Sequence, residues 1–187
     1  MIENEVLKAI RGRRSVIRFT DQAVTEGEVA AILEAGRWAP SYINSQPCEF
    51  LVVRDPKARE RLSEILRRIT VAWQGFATAP VSILVMVDPA RDPRHTAEDG
   101  AAATQNMALA AYSLGLATFW AGLHAVHETK GSAESDLKAA LGVPPGMQLV
   151  AMLPVGHPAY EATASRRPLS EIVHVESYGR LMNDRGG

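Results

Sequence analysis

The sequence predicts a fold that combines helices with a mixed central sheet covered by helices on its faces. Segments with helical periodicity outnumber β-like segments, and the two kinds alternate irregularly instead of forming regular β–α–β units. Residues 81–87 form an apolar run interrupted only by Ser82, which is typical of a central strand buried on both faces. This pattern alone leaves the choice between α+β and α/β open.

The helices are recognised by their caps and by apolar residues at helical spacing. Thr25 and Glu28 match a capping box that opens a helix to about residue 38. Asp55 and Pro56 supply an N-cap and a first-turn proline for a helix to about residue 73. Further helices are predicted at residues 3–11, 96–114 and 132–141, with a last short one after Pro168. Many alanines in residues 96–114 would let another helix approach closely, as in a dimer interface.

The strands are predicted from short apolar runs bounded by turn residues. They cover residues 50–54, 81–87, 117–121 and 148–155. No repeat, low-complexity stretch or break in composition divides the chain. The chain of 187 residues is therefore predicted to form one domain, residues 1–187.

The composition excludes several functional classes. The net charge of −1 provides no basic surface for nucleic acid, and one cysteine excludes a disulfide framework or a cysteine-rich metal site. The acidic N-terminus lacks the apolar stretch of a signal peptide, and no run approaches 18 apolar residues. We therefore expect a soluble cytoplasmic protein that binds neither nucleic acid nor membrane.

Two clusters of arginine could bind a phosphate. Arg13, Arg14 and Ser15 follow the first predicted helix, and Arg166 and Arg167 precede the last one. Guanidinium groups match phosphate oxygens bidentately, so these residues suit a phosphate monoester. On charge alone, solvated surface arginines remain the simpler interpretation.

The segment between Pro40 and Pro47 is unusually polar for a connection between a helix and a strand. It contains Ser41, Tyr42, Asn44, Ser45 and Gln46. The amides of Asn44 and Gln46 carry the donors and acceptors needed to bind an imide such as the pyrimidine edge of a flavin. An ordinary loop is the alternative interpretation.

Other motifs give little support for chemistry. The chain has no dinucleotide-binding glycine pattern, no phosphate-binding loop of the Walker type and no G-x-S-x-G sequence. His124 and His127 lack a third ligand at metal-site spacing, so no metal is expected. Cys48 is interpreted as a small core residue, because no base is paired with it in the sequence.

The order of motifs along the whole chain resembles the nitroreductase-like family of FMN-dependent flavoproteins. The resemblance is carried by Arg-Arg-Ser-Val-Ile-Arg-Phe at 13–19 and Ala-Pro-Ser-Tyr-Ile-Asn-Ser-Gln-Pro at 39–47. Later matches are residues 99–116, Thr-Phe-Trp-Ala-Gly at 118–122, and the stretches at 141–144, 155–158 and 166–169. Cys48 departs from the aromatic residue usual at its position, and Tyr42 and Ile43 replace smaller residues.

The resemblance implies an α+β fold and an intertwined homodimer with non-covalent FMN at the subunit interface. Arg13, Arg14 and Ser15 would bind the FMN phosphate, with Arg166 and Arg167 completing the clamp. Pro40, Ser41, Tyr42 and Asn44 would reach the same flavin from the partner subunit, and Gln46 would also lie at a flavin. The backbone at Ala121 and Gly122 would lie near the flavin N5.

The resemblance also implies an NAD(P)H-dependent oxidoreductase. A ping-pong cycle would pass hydride from NAD(P)H through flavin N5 to a small electron-poor acceptor such as a nitroaromatic or quinone. The flavin would carry the chemistry, so no catalytic side chain is expected. The alternatives are reductive dehalogenation or flavin breakdown on the same fold, and a flavin-binding module without turnover.

Overall fold

Helices and strands alternate in the computed structural model, which describes residues 2–123 and 132–182. The strands in this part of the chain are β1 (Cys48–Val53), β2 (Val81–Val87), β3 (Ala117–Thr118), β4 (Ala121–Gly122) and β5 (Gln148–Gly156). The α-helices are α1 (Glu5–Gly12), α2 (Glu26–Arg37), α3 (Pro56–Leu66), α4 (Gln74–Thr78), α5 (Thr96–Ser113) and α6 (Ala133–Leu141).

The sheet is built around β2, all seven residues of which are buried. β1 and β5 flank β2, while β3 and β4 both pair with the other edge of β5. All four of these ladders are antiparallel. Among the described residues, parallel pairing is confined to a single bridge between Ser15 and Thr118. The predicted α+β class is therefore confirmed.

Helices cover both faces of the sheet, which explains why β2 is buried throughout and apolar at every position except Ser82. Ile83 and Val85 belong to a core that also contains residues of α2 and α5. Leu84 and Met86 belong to a second core, formed with residues of α3 and α6. Because successive side chains of a strand point to opposite faces, both cores require apolar residues in alternate positions of β2.

The predicted caps are present in the structure. The backbone amide of Thr25 donates to Glu28 Oε2 at 2.7 Å, and the Glu28 amide donates to Thr25 Oγ1 at 3.2 Å. Asp55 Oδ1 accepts the amide of Ala58 at 2.8 Å at the start of α3. Gly142, with φ at 68°, closes α6 in the left-handed conformation that glycine adopts without strain.

Three predicted elements are shorter than expected. The helix predicted to reach residue 73 ends at Leu66, and its β-branched continuation at residues 69–71 has low helix propensity. The predicted strand at 117–121 divides into β3 and β4 because Phe119 turns into the core against Phe76. The last helix is a single 3-10 turn, Leu169–Glu171. His124 and His127 lie outside the described residues.

The helix α1 leaves an apolar face uncovered. None of its residues is buried, and Val6 and Ile10 are 65% and 49% exposed. An amphipathic helix gains most of its stability by burying its apolar face, so this face lacks the cover that such helices normally have. Separately, within residues 2–123 and 132–182, no helix is long and apolar enough to cross a membrane.

Close packing of α5 against the sheet depends on Gly100. A Cβ atom at this position would lie 2.5 Å from Val150 Cγ2. We expect Gly100→Ala to lower the free energy of unfolding by about 1–3 kcal/mol, because a methyl group would be forced into a filled core. Chemical denaturation measures the effect. Gly27→Ala is the matched control, since a Cβ atom added there would have no atom within 4 Å beyond its neighbours in the chain and the backbone of its own helix. A loss of stability equal to that of Gly100→Ala would contradict the packing argument.

Candidate cofactor site

The first arginine cluster lies where α1 meets an edge of the sheet. Arg13 directly follows α1, and Ser15 pairs with Thr118 of β3. The next amide, that of Val16, donates to the Thr118 carbonyl at 3.2 Å. The chain is therefore fixed to the sheet immediately after the arginines, which holds their backbone in one place.

Arg166 comes close to Arg13 although the two residues are far apart in the sequence. Burial lowers the pKa of Arg13, and repulsion from the guanidiniums of Arg14 and Arg166 lowers it further. Guanidinium groups stay protonated in proteins, so the fold brings like charges together. Among the described residues, no recorded ion pair joins a carboxylate to any of the three.

A cavity of about 330 Å³ opens beside Arg13 and Arg14. It is also lined by Tyr112 near the end of α5, by Thr118 of β3 and by residues 158 and 160–162. The Nε atom of Arg14 is buried without a hydrogen-bond partner in the described structure. Repelling cations, an unpartnered donor and a cavity together fit an anion, and a phosphate in particular.

The other predicted phosphate ligands are either bonded to backbone carbonyls or exposed. Nη1 of Arg14 donates to the carbonyl oxygens of Arg11 and Arg13, and Nη1 of Arg166 donates to the Ser165 carbonyl at 2.7 Å. Ser15 and Arg167 are exposed. Arg18, the third guanidinium of the motif, instead lies over the ring of Tyr160 at 5.1 Å.

The predicted ring-binding segment lies on the same sheet edge as Ser15. Thr118 pairs with Val155 of β5, and Gly122 pairs with Ala151 of the same strand. The two paired positions are four residues apart on β5, which corresponds to about 13 Å along the edge. Ala121 is buried and Gly122 is exposed. An elongated ligand could therefore follow this edge from the arginines to Gly122.

The loop at residues 40–47 has an unusual backbone. Ile43, Asn44 and Gln46 have φ angles of 44°, 59° and 50°. Non-glycine residues in this left-handed region cost about 1–3 kcal/mol each and persist where the surroundings hold them. Ser41 Oγ accepts the amide of Gln46 at 2.9 Å, which fixes the loop internally.

The start of α5 fixes the same loop from outside. The amide of Tyr42 donates to Asp99 Oδ1 at 3.1 Å, and the ring of Tyr42 stacks on His95 with a centroid distance of 4.0 Å. Asp99 is only 5% exposed, and its pKa is raised by burial and by the nearby Asp92 and Glu98. Backbone strain together with this anchoring indicates a functional loop.

In one chain, the loop and the arginines lie near opposite ends of α5. The loop contacts Asp99 in the first turn, whereas the arginine cavity includes Tyr112 near the last turn. A rise of about 1.5 Å per residue places these two positions roughly 20 Å apart along the helix. The loop and the arginine cavity are therefore separate surfaces of one subunit.

The sequence matches one protein family over most of its length. The model of the nitroreductase family matches residues 10–157. The chain belongs to the nitroreductase family. A "Putative NADH dehydrogenase/NAD(P)H nitroreductase" of Archaeoglobus fulgidus is 33% identical over 160 residues, covering 84% of this chain and 87% of the relative. An iodotyrosine deiodinase of Sus scrofa is 26% identical, with coverages of 90% and 68%.

A solved relative contains the expected cofactor. The crystal structure of a "putative nitroreductase in complex with FMN" from Desulfovibrio desulfuricans is 40% identical to this chain. It superposes with a TM-score of 0.78 and covers 95% of this chain and 99% of the relative. FMN is therefore the cofactor expected of this nitroreductase-family chain.

Three residues that hold the loop were not predicted from the sequence. Asp92, His95 and Asp99 lie in or just before α5. Asp99 has the position of an ordinary acidic residue in a first helical turn, and the Asp-x-x-His spacing occurs often by chance. Only the tertiary fold reveals that they support Tyr42.

Cys48 is a half-buried core residue, as the sequence suggested. It packs against the core shared by α2 and α5. Burial, together with the carboxylate of Asp99, raises the pKa of the thiol to about 11. The thiol is therefore protonated at neutral pH and is a poor nucleophile.

The reactivity of Cys48 provides a test of this environment. We expect its alkylation rate in the folded protein to rise about tenfold per pH unit from about pH 7 to 10, because only the thiolate reacts. Mass spectrometry with iodoacetamide follows the single cysteine of the chain. The urea-unfolded protein is the control, and its alkylation rate should level off above the unperturbed cysteine pKa of about 8.5. A plateau at that pH in the folded protein would contradict the assignment.

Proposed function

We propose that this protein is an FMN-dependent oxidoreductase that takes electrons from NAD(P)H and reduces a small electron-poor acceptor such as a nitroaromatic or quinone. Family membership supports the class of enzyme, and the FMN-bound relative supports the cofactor. The observation that carries the proposal is a cavity lined by Arg13 and Arg14, with Arg166 close to Arg13. Among the described residues, none of these three arginines forms an ion pair with a carboxylate.

The arginines would bind the phosphate end of the cofactor. Arg13 and Arg14 come from the segment after α1, Ser15 follows them, and Arg166 approaches Arg13 from the C-terminal region, with Arg167 next to it in the sequence. A phosphate would relieve the repulsion that lowers the pKa of Arg13. The unpartnered Nε of Arg14 would then have an acceptor within reach.

The edge formed by β3 and β4 would support the rest of the cofactor. The backbone at Ala121 and Gly122 lies on the edge that continues from Ser15, and exposed Gly122 has no side chain to obstruct a flat ring. When bound, FMN supplies the hydride chemistry at its N5 atom in a ping-pong cycle. The residues of this chain bind and orient it, and we assign no side chain to proton transfer.

A second copy of the chain would complete the site. Pro40, Ser41, Tyr42, Asn44 and Gln46 belong to a loop about 20 Å from the arginines along α5, so one subunit does not bring the two together. In a two-fold dimer, the loop of each subunit can reach the cofactor of the other. The uncovered apolar face of α1 and the exposed side chains of the loop support such an interface.

Reductive dehalogenation is the second candidate function. It is favoured by the similarity to iodotyrosine deiodinase over 90% of this chain. Both candidate functions use the same proposed cofactor site, so substitution of the phosphate-binding residues would impair both reactions and would not distinguish them. Release of iodide from a halogenated phenol, compared with consumption of a quinone, would distinguish the reactions.

The phosphate assignment predicts the effect of removing Arg13. We expect Arg13→Ala to weaken FMN binding about 10- to 100-fold, because a charge-assisted hydrogen bond contributes about 1.5–3 kcal/mol. Quenching of flavin fluorescence measures the affinity of apoprotein for FMN. Arg61→Ala is the control, since Arg61 is an exposed arginine of α3 and the charge change is the same. Equal affinities of the two variants would remove Arg13 from the site.

The redox assignment predicts that the FMN-loaded protein is reduced by NADH or NADPH. Anaerobic mixing should abolish the visible absorbance of oxidised flavin on the order of seconds or faster, within the usual range of enzyme turnover. A quinone added afterwards should restore the absorbance. A flavin that binds tightly but is reduced by neither nucleotide would support a binding module without turnover.

A further inference from the structure

The ring of Tyr42 is held by a chain of contacts that extends below the protein surface. His95 stacks on this ring with an interplanar angle of 25°, and Nδ1 of His95 lies 3.0 Å from Oδ2 of Asp92. Asp92 is 3% exposed, and its Oδ1 also accepts the amides of Arg94 and His95. A buried carboxylate therefore holds the imidazole, and the imidazole supports the ring of Tyr42.

The protonation of Asp92 determines how His95 is bound. Burial opposes ionisation of Asp92, but hydrogen bonds from the Arg94 amide, the His95 ring and the His95 amide prevail and lower its pKa. An ionised carboxylate only accepts hydrogen bonds, so Nδ1 of His95 must be the donor. This bond fixes both the tautomer and the plane of the imidazole.

The position of Tyr42 matters because the loop is strained and exposed. Tyr42 is followed by two residues with positive φ, Ile43 and Asn44, and its own side chain is 48% exposed. One face of the ring is covered by His95, which leaves part of the ring open to a ligand. Aromatic rings stack well on one another, and an electron-rich phenol suits an electron-poor acceptor.

We propose that His95, oriented by Asp92, is a positioning residue that fixes the ring of Tyr42 as a stacking surface for planar electron-poor acceptors. This proposal rests on the proposed function for its substrate class. It assigns His95 no proton transfer and no contact with the cofactor. His95 acts through Tyr42, so removing either side chain should affect the same step.

The first measurement needs neither cofactor nor turnover. Hydrogen exchange of the apoprotein, followed on peptides covering residues 40–47, reports how firmly the loop is held. We expect His95→Ala to accelerate exchange in this segment several-fold, and His95→Phe, which keeps an aromatic partner for Tyr42 but loses the bond to Asp92, to fall between His95→Ala and the wild type. Unchanged exchange in His95→Ala would overturn the positioning role whether or not the protein is an enzyme.

The second measurement concerns selectivity. We expect His95→Ala to change the ratio of kcat/KM for a bulky nitroaromatic to that for a small quinone by about three- to tenfold, the range of one aromatic pair. Both substrates are compared at saturating FMN, because the Tyr42 loop is also part of the proposed cofactor site, and a ratio of two acceptors cancels any loss of cofactor binding that is common to both. His95→Phe should restore the ratio only in part, because it keeps the stack on Tyr42 but loses the bond to Asp92.

A double-variant cycle separates the possible outcomes. If His95 acts through Tyr42, the Tyr42→Ala and His95→Ala effects on selectivity should not add in the double variant. Additive effects, or an unchanged ratio in His95→Ala, would overturn the specificity role. Failure of the proposed function is recognised differently, because the wild-type protein itself would then reduce no acceptor while the hydrogen-exchange result would still stand.

Discussion

Repulsion among Arg13, Arg14 and Arg166 is the constraint on which the rest of the site depends. The fold fixes Arg13 between the end of α1 and the Ser15–Thr118 bridge, and it returns Arg166 to the same place. Concentrating like charges at a partly buried position costs free energy, which lowers the pKa of Arg13. A bound anion would remove this repulsion and stabilise the folded protein. We propose that this anion is the phosphate of FMN.

The anchored loop is the second place where the fold maintains an unfavourable local structure. Ile43, Asn44 and Gln46 occupy left-handed backbone conformations that the contacts of Tyr42 with Asp99 and His95 help to maintain. Clustered charge at one end of α5 and backbone strain at the other both cost stability without strengthening the core. We infer that both are retained for a ligand, and that two subunits are needed to bring them together.

The sequence predicted the elements that local rules determine. The capping box at Thr25, the buried strand at residues 81–87 and the glycine that ends α6 each follow from residues adjacent in the chain. The arginines were identified from charge and spacing, but their convergence with Arg166 depends on the whole fold. The stack of Tyr42 on His95 joins residues distant in the sequence, and neither residue type requires the other. Contacts of this kind are set by tertiary packing and leave no local pattern.

A complementation measurement tests the shared site most directly. One variant, Arg13→Ala, would lose the phosphate contact, and the other, Asn44→Gly with Gln46→Gly, would lose the loop amides while keeping its left-handed backbone. Titration with FMN compares each variant alone with a mixture refolded together. If each site takes arginines from one subunit and the loop from the other, mixed dimers regain one intact, tightly binding site. If each subunit builds its own site, the mixture will bind FMN only as the sum of two weak variants, which would contradict the account.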